Sequence, residues 1–265
     1  MSSDSTKKIV LVAMGVCLAC SVLVAAAFVS LHGRVENNKK LDMLKNVLIA
    51  GNMLEENTDV IKTFNEKIRT EIIEIKTGMA VPETEYTELL APEHFEIKKL
   101  LKDLQYSESI PADQDISGIK RKPRYMMIYT VYDGDKVDKV ILPIYGKGLW
   151  STMYGFIALD RDLRTVKGIT FYEHGETPGL GGEVDNPNWK SKWVNKIAFN
   201  EQGHVAIEVI KGRVDETRPD AVYKIDGLTG STLTTRGVDH LVKFWLGDNG
   251  YGPFLTKLRE EMIHG

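Results

Sequence analysis

Apolar positions follow three different rhythms along the chain. Residues 9–31 form an uncharged apolar run, with Lys7 and Lys8 before it and Arg34, Lys39, Lys40 and Lys45 after it. As a helix rising about 1.5 Å per residue, these 23 positions reach roughly 34 Å, enough to cross a hydrocarbon core of about 30 Å. We read a retained membrane-spanning helix. The competing reading is a cleaved signal peptide, with Ala25-Ala26-Ala27 as the cut site. A signal core usually holds about 7–15 residues, whereas this run continues through Phe28, Val29 and Leu31. Basic residues flank the run on both sides, so charge alone leaves its orientation open.

The second rhythm is helical. Leu44, Val47, Leu48 and Ala50 predict a membrane-proximal helix over 41–55, interrupted at Gly51-Asn52. Residues 83–117 are rich in Glu, Lys, Asp and Gln, are broken by Pro92 and Pro111, and read as helical fragments and surface loop. From 124 a strand rhythm takes over. Runs at 124–132 and 137–145 flank Asp133-Gly134-Asp135-Lys136, a hairpin turn, and further runs at 153–159 and 165–172 extend an antiparallel sheet. A short helix at 187–195, a strand at 205–211 and two helices complete the domain. The first of these two carries Leu233, Val238, Leu241, Val242 and Trp245 on one face, and the second spans 253–262. The class is α+β: a tail (1–8), one N-terminal transmembrane helix (9–31), a membrane-proximal helical and loop region packed on the soluble domain (32–120), and a soluble domain with an antiparallel sheet flanked by helices (121–265).

Composition narrows the function. With 34 basic against 37 acidic residues the net charge is −3, which leaves no basic footprint for nucleic acid. Cys17 and Cys20 lie inside the apolar run, so no disulfide framework, zinc ribbon or iron–sulfur set can form downstream. Six scattered histidines show no paired metal-ligand spacing, and no metal site is assigned. His174, two residues before a glycine-rich loop, reads as a surface or capping residue, with tuning of a bound group as the alternative.

Two segments carry chemistry. The loop 176–183 (Glu-Thr-Pro-Gly-Leu-Gly-Gly-Glu) fails the dinucleotide pattern, since Val184 stands where the third glycine belongs. Its glycines would let backbone approach a flat or anionic ligand, and a tight strand-to-helix connection explains them equally well. The second segment, 226–235, crowds Thr229, Ser231, Thr232, Thr234 and Thr235 at the start of an amphipathic helix. Capping needs one or two hydroxyls; a phosphate at the helix start would use more.

At the second segment the string D-G-L-T-G-S-T closely resembles the flavinylation motif D-x-x-[ST]-G-A-T of FMN-binding domains in the C subunit of the Na⁺-translocating NADH:quinone reductase and the G subunit of the Rnf complex. Ser231 replaces the usual Ala. The strings at 140–150, 172–184 and 244–257 are similar to the versions in the reductase rather than those in Rnf, and little resemblance is visible between 55 and 120. The resemblance implies one FMN per chain, esterified through its phosphate to Thr232, making 121–265 an FMN-binding domain. On that reading Thr177, Gly179, Leu180, Gly181 and Gly182 line the ring, Trp150 or Tyr154 supplies an aromatic contact, and Asp226, Thr229, Gly230, Ser231, Leu233 and Thr234 surround the phosphate. For Trp150 a place in the core is the equal alternative. The resemblance further implies an electron-transfer subunit, not catalytic alone, that relays electrons between cofactors of neighbouring subunits. Such a subunit would be matured by a flavin transferase and held by lipid in a bacterial inner membrane, with the domain in the periplasm and the 1–8 tail cytoplasmic. The Rnf subunit, and an anchored module whose hydroxyls merely cap a helix, are the alternatives.

Overall fold

The computed structural model describes residues 3–264, which fall into two compact units divided between Met43 and Leu44. Helix α1 (Ser3–Ala50) runs through the first unit and contributes its last turns to the second. Its apolar residues from Ile9 to Leu31 are exposed, and an 18-residue window within it has a mean hydropathy of 2.8, so it is long and apolar enough to cross a membrane. The separate helix expected from 41 is the end of this one. No proline lies between 32 and 50, and Glu36 pairs with Lys39 one turn on at 3.1 Å. Termination comes at Gly51 and at Asn52, whose φ of 53° is the left-handed conformation that ends helices.

In chain order the second unit continues with α2 (Val60–Lys67), β1 (Ile68–Glu74), β2 (Met79–Ala80), α3 (Ile97–Leu100), β3 (Ser107–Ser109) and β4 (Arg121–Pro123). Then follow β5 (Tyr125–Asp133), β6 (Lys136–Lys147), β7 (Thr152–Asp160), β8 (Val166–Glu173), α4 (Pro187–Lys190), β9 (Glu208–Val209), β10 (Lys224–Ile225), α5 (Thr232–Leu246) and α6 (Gly252–His264). Six strands form one antiparallel sheet in the order β2-β1-β5-β6-β7-β8. Strands β5 to β8 fall on the four sequence runs, and Gly134, at φ +61°, turns the β5–β6 hairpin. Reading 32–120 as helix fragments and loop overlooks β1, which pairs along its whole length with β5. Its Ile68, Ile72 and Ile73 are buried, but Arg69, Glu71 and Glu74 interrupt them and mask the strand signal. The strand expected at 205–211 shrinks to β9, which pairs in parallel with β10.

The sheet is buried on both faces, so β5 to β7 are nearly continuous apolar runs. Val140, Leu142, Ile144, Ile157 and Leu159 share one core with Val238, Leu241, Val242 and Trp245 of α5. On the alternate positions, Phe64 of α2 meets Tyr129, and Asn46 in the last turns of α1 lies 3.2 Å from the Thr170 hydroxyl. Close approach needs glycine at two places: a Cβ on Gly146 would sit 2.4 Å from Leu241, and one on Gly168 2.5 Å from the Ala50 carbonyl. Helix α5 is thus seated against β6, and its N-terminus emerges at one end of the sheet beside the β6–β7 and post-β8 loops.

Candidate functional site

Three loops converge at that end. The chain enters α5 through Asp226, whose carboxylate takes the Lys192 ammonium at 2.5 Å and the Val214 N–H at 2.7 Å, while its carbonyl accepts the Trp189 indole N–H at 2.8 Å. Burial raises the pKa of this carboxyl, but the bonds from Lys192 and Val214 outweigh it and hold the group below its ordinary range. Asp226 therefore braces the turn from behind. Gly230, at φ +74°, then reverses the backbone, and Ser231 takes the N-cap position.

The five hydroxyls of this segment are not equivalent. Thr235 is buried and accepts the Leu228 N–H at 3.0 Å. Thr234 is fully buried and donates to Glu176 at 2.6 Å, and Ser231 is only 6% exposed, 3.5 Å from Thr234. Thr229 and Thr232 are exposed, and Thr232 alone of the two lies on the first turn of α5. The first bond of the turn runs from Thr235 N–H to the Ser231 carbonyl at 2.9 Å. Among the described residues, the amides of Thr232, Leu233 and Thr234 have no backbone acceptor. An exposed hydroxyl thus stands over three idle N–H groups at the positive end of a helix dipole, a setting that suits a phosphate ester.

Glu176 links this helix start to the other two loops. Its Oε1 accepts the N–H groups of Trp150 at 2.9 Å and Ser151 at 3.2 Å; its Oε2 accepts Leu149 N–H at 3.1 Å and the Thr234 hydroxyl. Burial alone would raise its pKa, but four donors hold this 4%-exposed carboxyl below the ordinary carboxylate range. Next to it, the Thr177 carbonyl accepts N–H bonds from Leu180 at 3.1 Å and Gly182 at 2.9 Å, so residues 177–182 form a tight turn with Gly179 at φ +76°. His174 clasps the base of the turn, bonding Asp185 at 2.7 Å while its other ring nitrogen accepts the Glu176 N–H at 3.2 Å. This is the capping role of the two that the sequence leaves for His174, and Glu176 is bonded through both backbone and side chain.

Trp150 is 70% exposed, so the core reading of this residue is corrected: its backbone is fixed through Glu176 while its ring faces outward. Leu149, Leu180 and Leu233 are also half exposed, and Leu180 approaches Gly230. The sequence-derived positions at 150, 177–182 and 229–234 are therefore brought to one end of the domain. Sequence reasoning missed Glu176 as a structural partner, because its burial depends on three distant amides. It also missed a shallow cavity of about 220 Å³ beside Leu149 and Leu233, lined on its polar side by Lys147, Arg236 and His240. Exposed Thr232, the unpaired amides and the uncovered apolar rim fit a phosphate-tethered planar group.

Strands β7 and β8 of the antiparallel sheet, the start of α5 and the glycine turn beside it fall within residues 148–247, which match the family model described as "FMN-binding domain", and the class is that of FMN-binding domains. The C subunit of the Na(+)-translocating NADH-quinone reductase of Yersinia pestis is 43% identical over 98% of this chain and 95% of its own length. That of Pseudomonas aeruginosa is 42% identical over 98% of both chains. The crystal structure of Shewanella oneidensis NqrC aligns with a TM-score of 0.75 at 31% identity, covering 84% of this chain and 99% of that one. The chain belongs to the NqrC family, the C subunits of the Na⁺-translocating NADH-quinone reductase.

Proposed function

We propose that this chain is the flavin-carrying electron relay of a sodium-pumping NADH-quinone reductase, with one FMN esterified through its phosphate to Thr232. The observation that carries the reading is the sorting of hydroxyls: Ser231, Thr234 and Thr235 are buried, while Thr232 is exposed on the helix start. The Yersinia and Pseudomonas relatives are both C subunits of the reductase, which favours the sodium pump over the Rnf complex.

When bound, FMN supplies one- and two-electron chemistry; the chain supplies position. Thr232 would provide the ester oxygen, and the amides of Thr232, Leu233 and Thr234, which have no backbone acceptor, would be available to the phosphate. Thr177, Gly179, Leu180, Gly181 and Gly182 offer the ring a turn with little side-chain bulk, and Trp150 and Leu233 offer it apolar surface. Gly230 and Thr229 shape the approach to the phosphate, with Ser231 beneath it and Asp226 bracing the turn. A covalent tether keeps the group at high local concentration even where the site is open, so the ring can be exposed enough to meet cofactors in neighbouring subunits. The 9–31 segment of α1 serves as a single membrane span in the bacterial inner membrane, with lipid around it and the domain on the periplasmic side.

Esterification of free FMN would have to expel water into water, so maturation calls for FMN activated as a phosphoanhydride, as in a flavin dinucleotide, and for a flavin transferase to move it. The test is the mass of the denatured chain from its native host. A Thr232-containing peptide heavier by about 438 Da, the mass of FMN less water, supports the proposal. A colourless denatured chain of unmodified mass overturns it.

A further inference from the structure

The buried carboxylate of Glu176 has more donors than a simple loop contact requires. Two oxygens collect three backbone N–H groups from residues 149–151 and one hydroxyl from α5. Both surrounding loops give way to it through glycine. A Cβ on Gly148 would lie 2.5 Å from Glu176 Oε1, and one on Gly181 2.6 Å from the Thr234 hydroxyl and 2.9 Å from Glu176 Oε2. A glutamine could not substitute, because its NH₂ group would face N–H donors at one of the two oxygen positions.

The point of attachment on α5 matters. Residues two apart on a helix are separated by about 200° around its axis, so a Thr234 side chain held inward turns that of Thr232 outward. First turns of helices fray unless tied down, and Ser231 makes no side-chain capping bond here. The charged bond from Thr234 to Glu176 takes over that duty. It also fixes the helix start relative to the loop bearing Trp150 and the turn at 177–182.

Resting on the proposal for Thr232, we infer that Glu176, acting through Thr234, is a positioning residue for flavin transfer: it sets the presentation of the Thr232 hydroxyl to the flavin dinucleotide. In that transfer the hydroxyl proton passes to a base on the transferase, and Thr232 Oγ bonds the flavin-side phosphorus. The phosphoanhydride bond breaks, and the nucleoside monophosphate leaves with the bonding pair; no electrons are gained or lost. Glu176 touches none of the reacting atoms.

The experiment follows flavin incorporation into the full-length chain by a flavin transferase supplied with flavin adenine dinucleotide. It compares Thr234→Val, which removes only the hydroxyl, with Thr234→Ser, which keeps it. A charge-assisted hydrogen bond of this kind supports a loss of about 10-fold or more in the rate at saturating chain for Thr234→Val, with half-saturation unchanged. Thr234→Ser should stay within about 2-fold of the parent. Equal rates for Val and the parent, or equal losses for Val and Ser, overturn the inference. Should Thr234→Val fail to fold, hydrogen exchange on the unsubstituted, flavin-free chain decides. Amides of Leu149, Trp150 and Ser151 should be protected far longer than the amide of Gly179, and exchange as fast as Gly179 overturns the clamp. An unsubstituted chain that folds but takes no flavin at Thr232 overturns the parent proposal instead, so the two failures are distinct.

Discussion

The two ends of α5 are built from opposite materials. At its C-terminal end Trp245 is fully buried, donates its indole N–H to the Tyr145 carbonyl at 2.6 Å, and packs on Tyr145 and Tyr251 with ring centroids 5.0 and 5.5 Å apart. Tyr251, also fully buried, donates to the Pro143 carbonyl at 2.7 Å. At the N-terminal end Thr232 and Leu233 are exposed and three amides lack backbone partners. One end fixes the helix to the sheet; the other has hydrogen-bonding capacity free for a ligand. The exposed helix start is held in place by the buried aromatic packing at the far end and by the bond from Thr234 to Glu176 at the near one.

That division predicts opposite outcomes for substitutions at the two ends. The largest effect is expected for Thr232→Ala, which should abolish covalent flavin altogether, read as in-gel fluorescence of the denatured chain. The flavin-free fold should hardly notice, with a change within about 0.5 kcal/mol in urea unfolding, as for other exposed sites. Retained fluorescence would break the assignment of the acceptor. Trp245→Ala should do the reverse: a loss of about 3–5 kcal/mol from a cavity among Tyr145, Phe244 and Tyr251, with flavin lost only in proportion to unfolding.

Glu176→Gln comes next, with an expected cost of about 1–3 kcal/mol at neutral pH from breaking a fully bonded buried carboxylate. Its pH dependence has a definite sign. The folded-state pKa lies below the ordinary value of 4.5, so the contribution is full above that value and is lost as pH falls through the folded pKa. The difference in thermal midpoint between parent and Glu176→Gln should therefore shrink on acidification below about pH 4.5. Taking the difference cancels contributions common to both chains, including Asp226, which titrates in the same direction, and Glu71, which burial shifts oppositely. A gap that is constant from neutral pH to strong acid would show that the carboxylate charge plays no part.

Legibility followed the range of the interactions. The four strands from 125 to 173 and the face of α5 were readable because each repeats a local period over many residues. The flavinylation string was readable as a resemblance, and the structure adds why its hydroxyls differ. β1 was lost because three charged residues interrupt its apolar positions, and what makes it a strand is its partner β5, more than fifty residues away. The extent of α1 was misjudged for a different reason: a change from apolar to charged composition at residue 32 is a change of surroundings, and the backbone continues through it. Glu176 was invisible as a structural element, since a glutamate in a glycine-rich loop carries no local sign that three amides and a threonine will close over it.

The smallest predicted effect bears on the departure of this motif from its family, Ser231. A serine at an N-cap ordinarily bonds a free amide, and its replacement by alanine then costs about 0.5–2 kcal/mol. Ser231 has the position without the bond: its backbone φ of −132° and ψ of 55° aim no side-chain oxygen at the first-turn amides. Its hydroxyl lies 3.5 Å from Thr234, at the outer limit of hydrogen bonding, and Thr234 already donates to Glu176 at 2.6 Å. Ser231→Ala should therefore change stability by less than about 0.5 kcal/mol and leave both the amount and the position of flavin unaltered. With the whole residue only 6% exposed, Ser231 is also poorly placed to meet a transferase, so on the proposed reading it should not compete with Thr232 despite being its neighbour. A fall in flavin content in Ser231→Ala, with Thr232 intact, would show that the buried hydroxyl takes part in maturation and that the sorting of hydroxyls by exposure is incomplete.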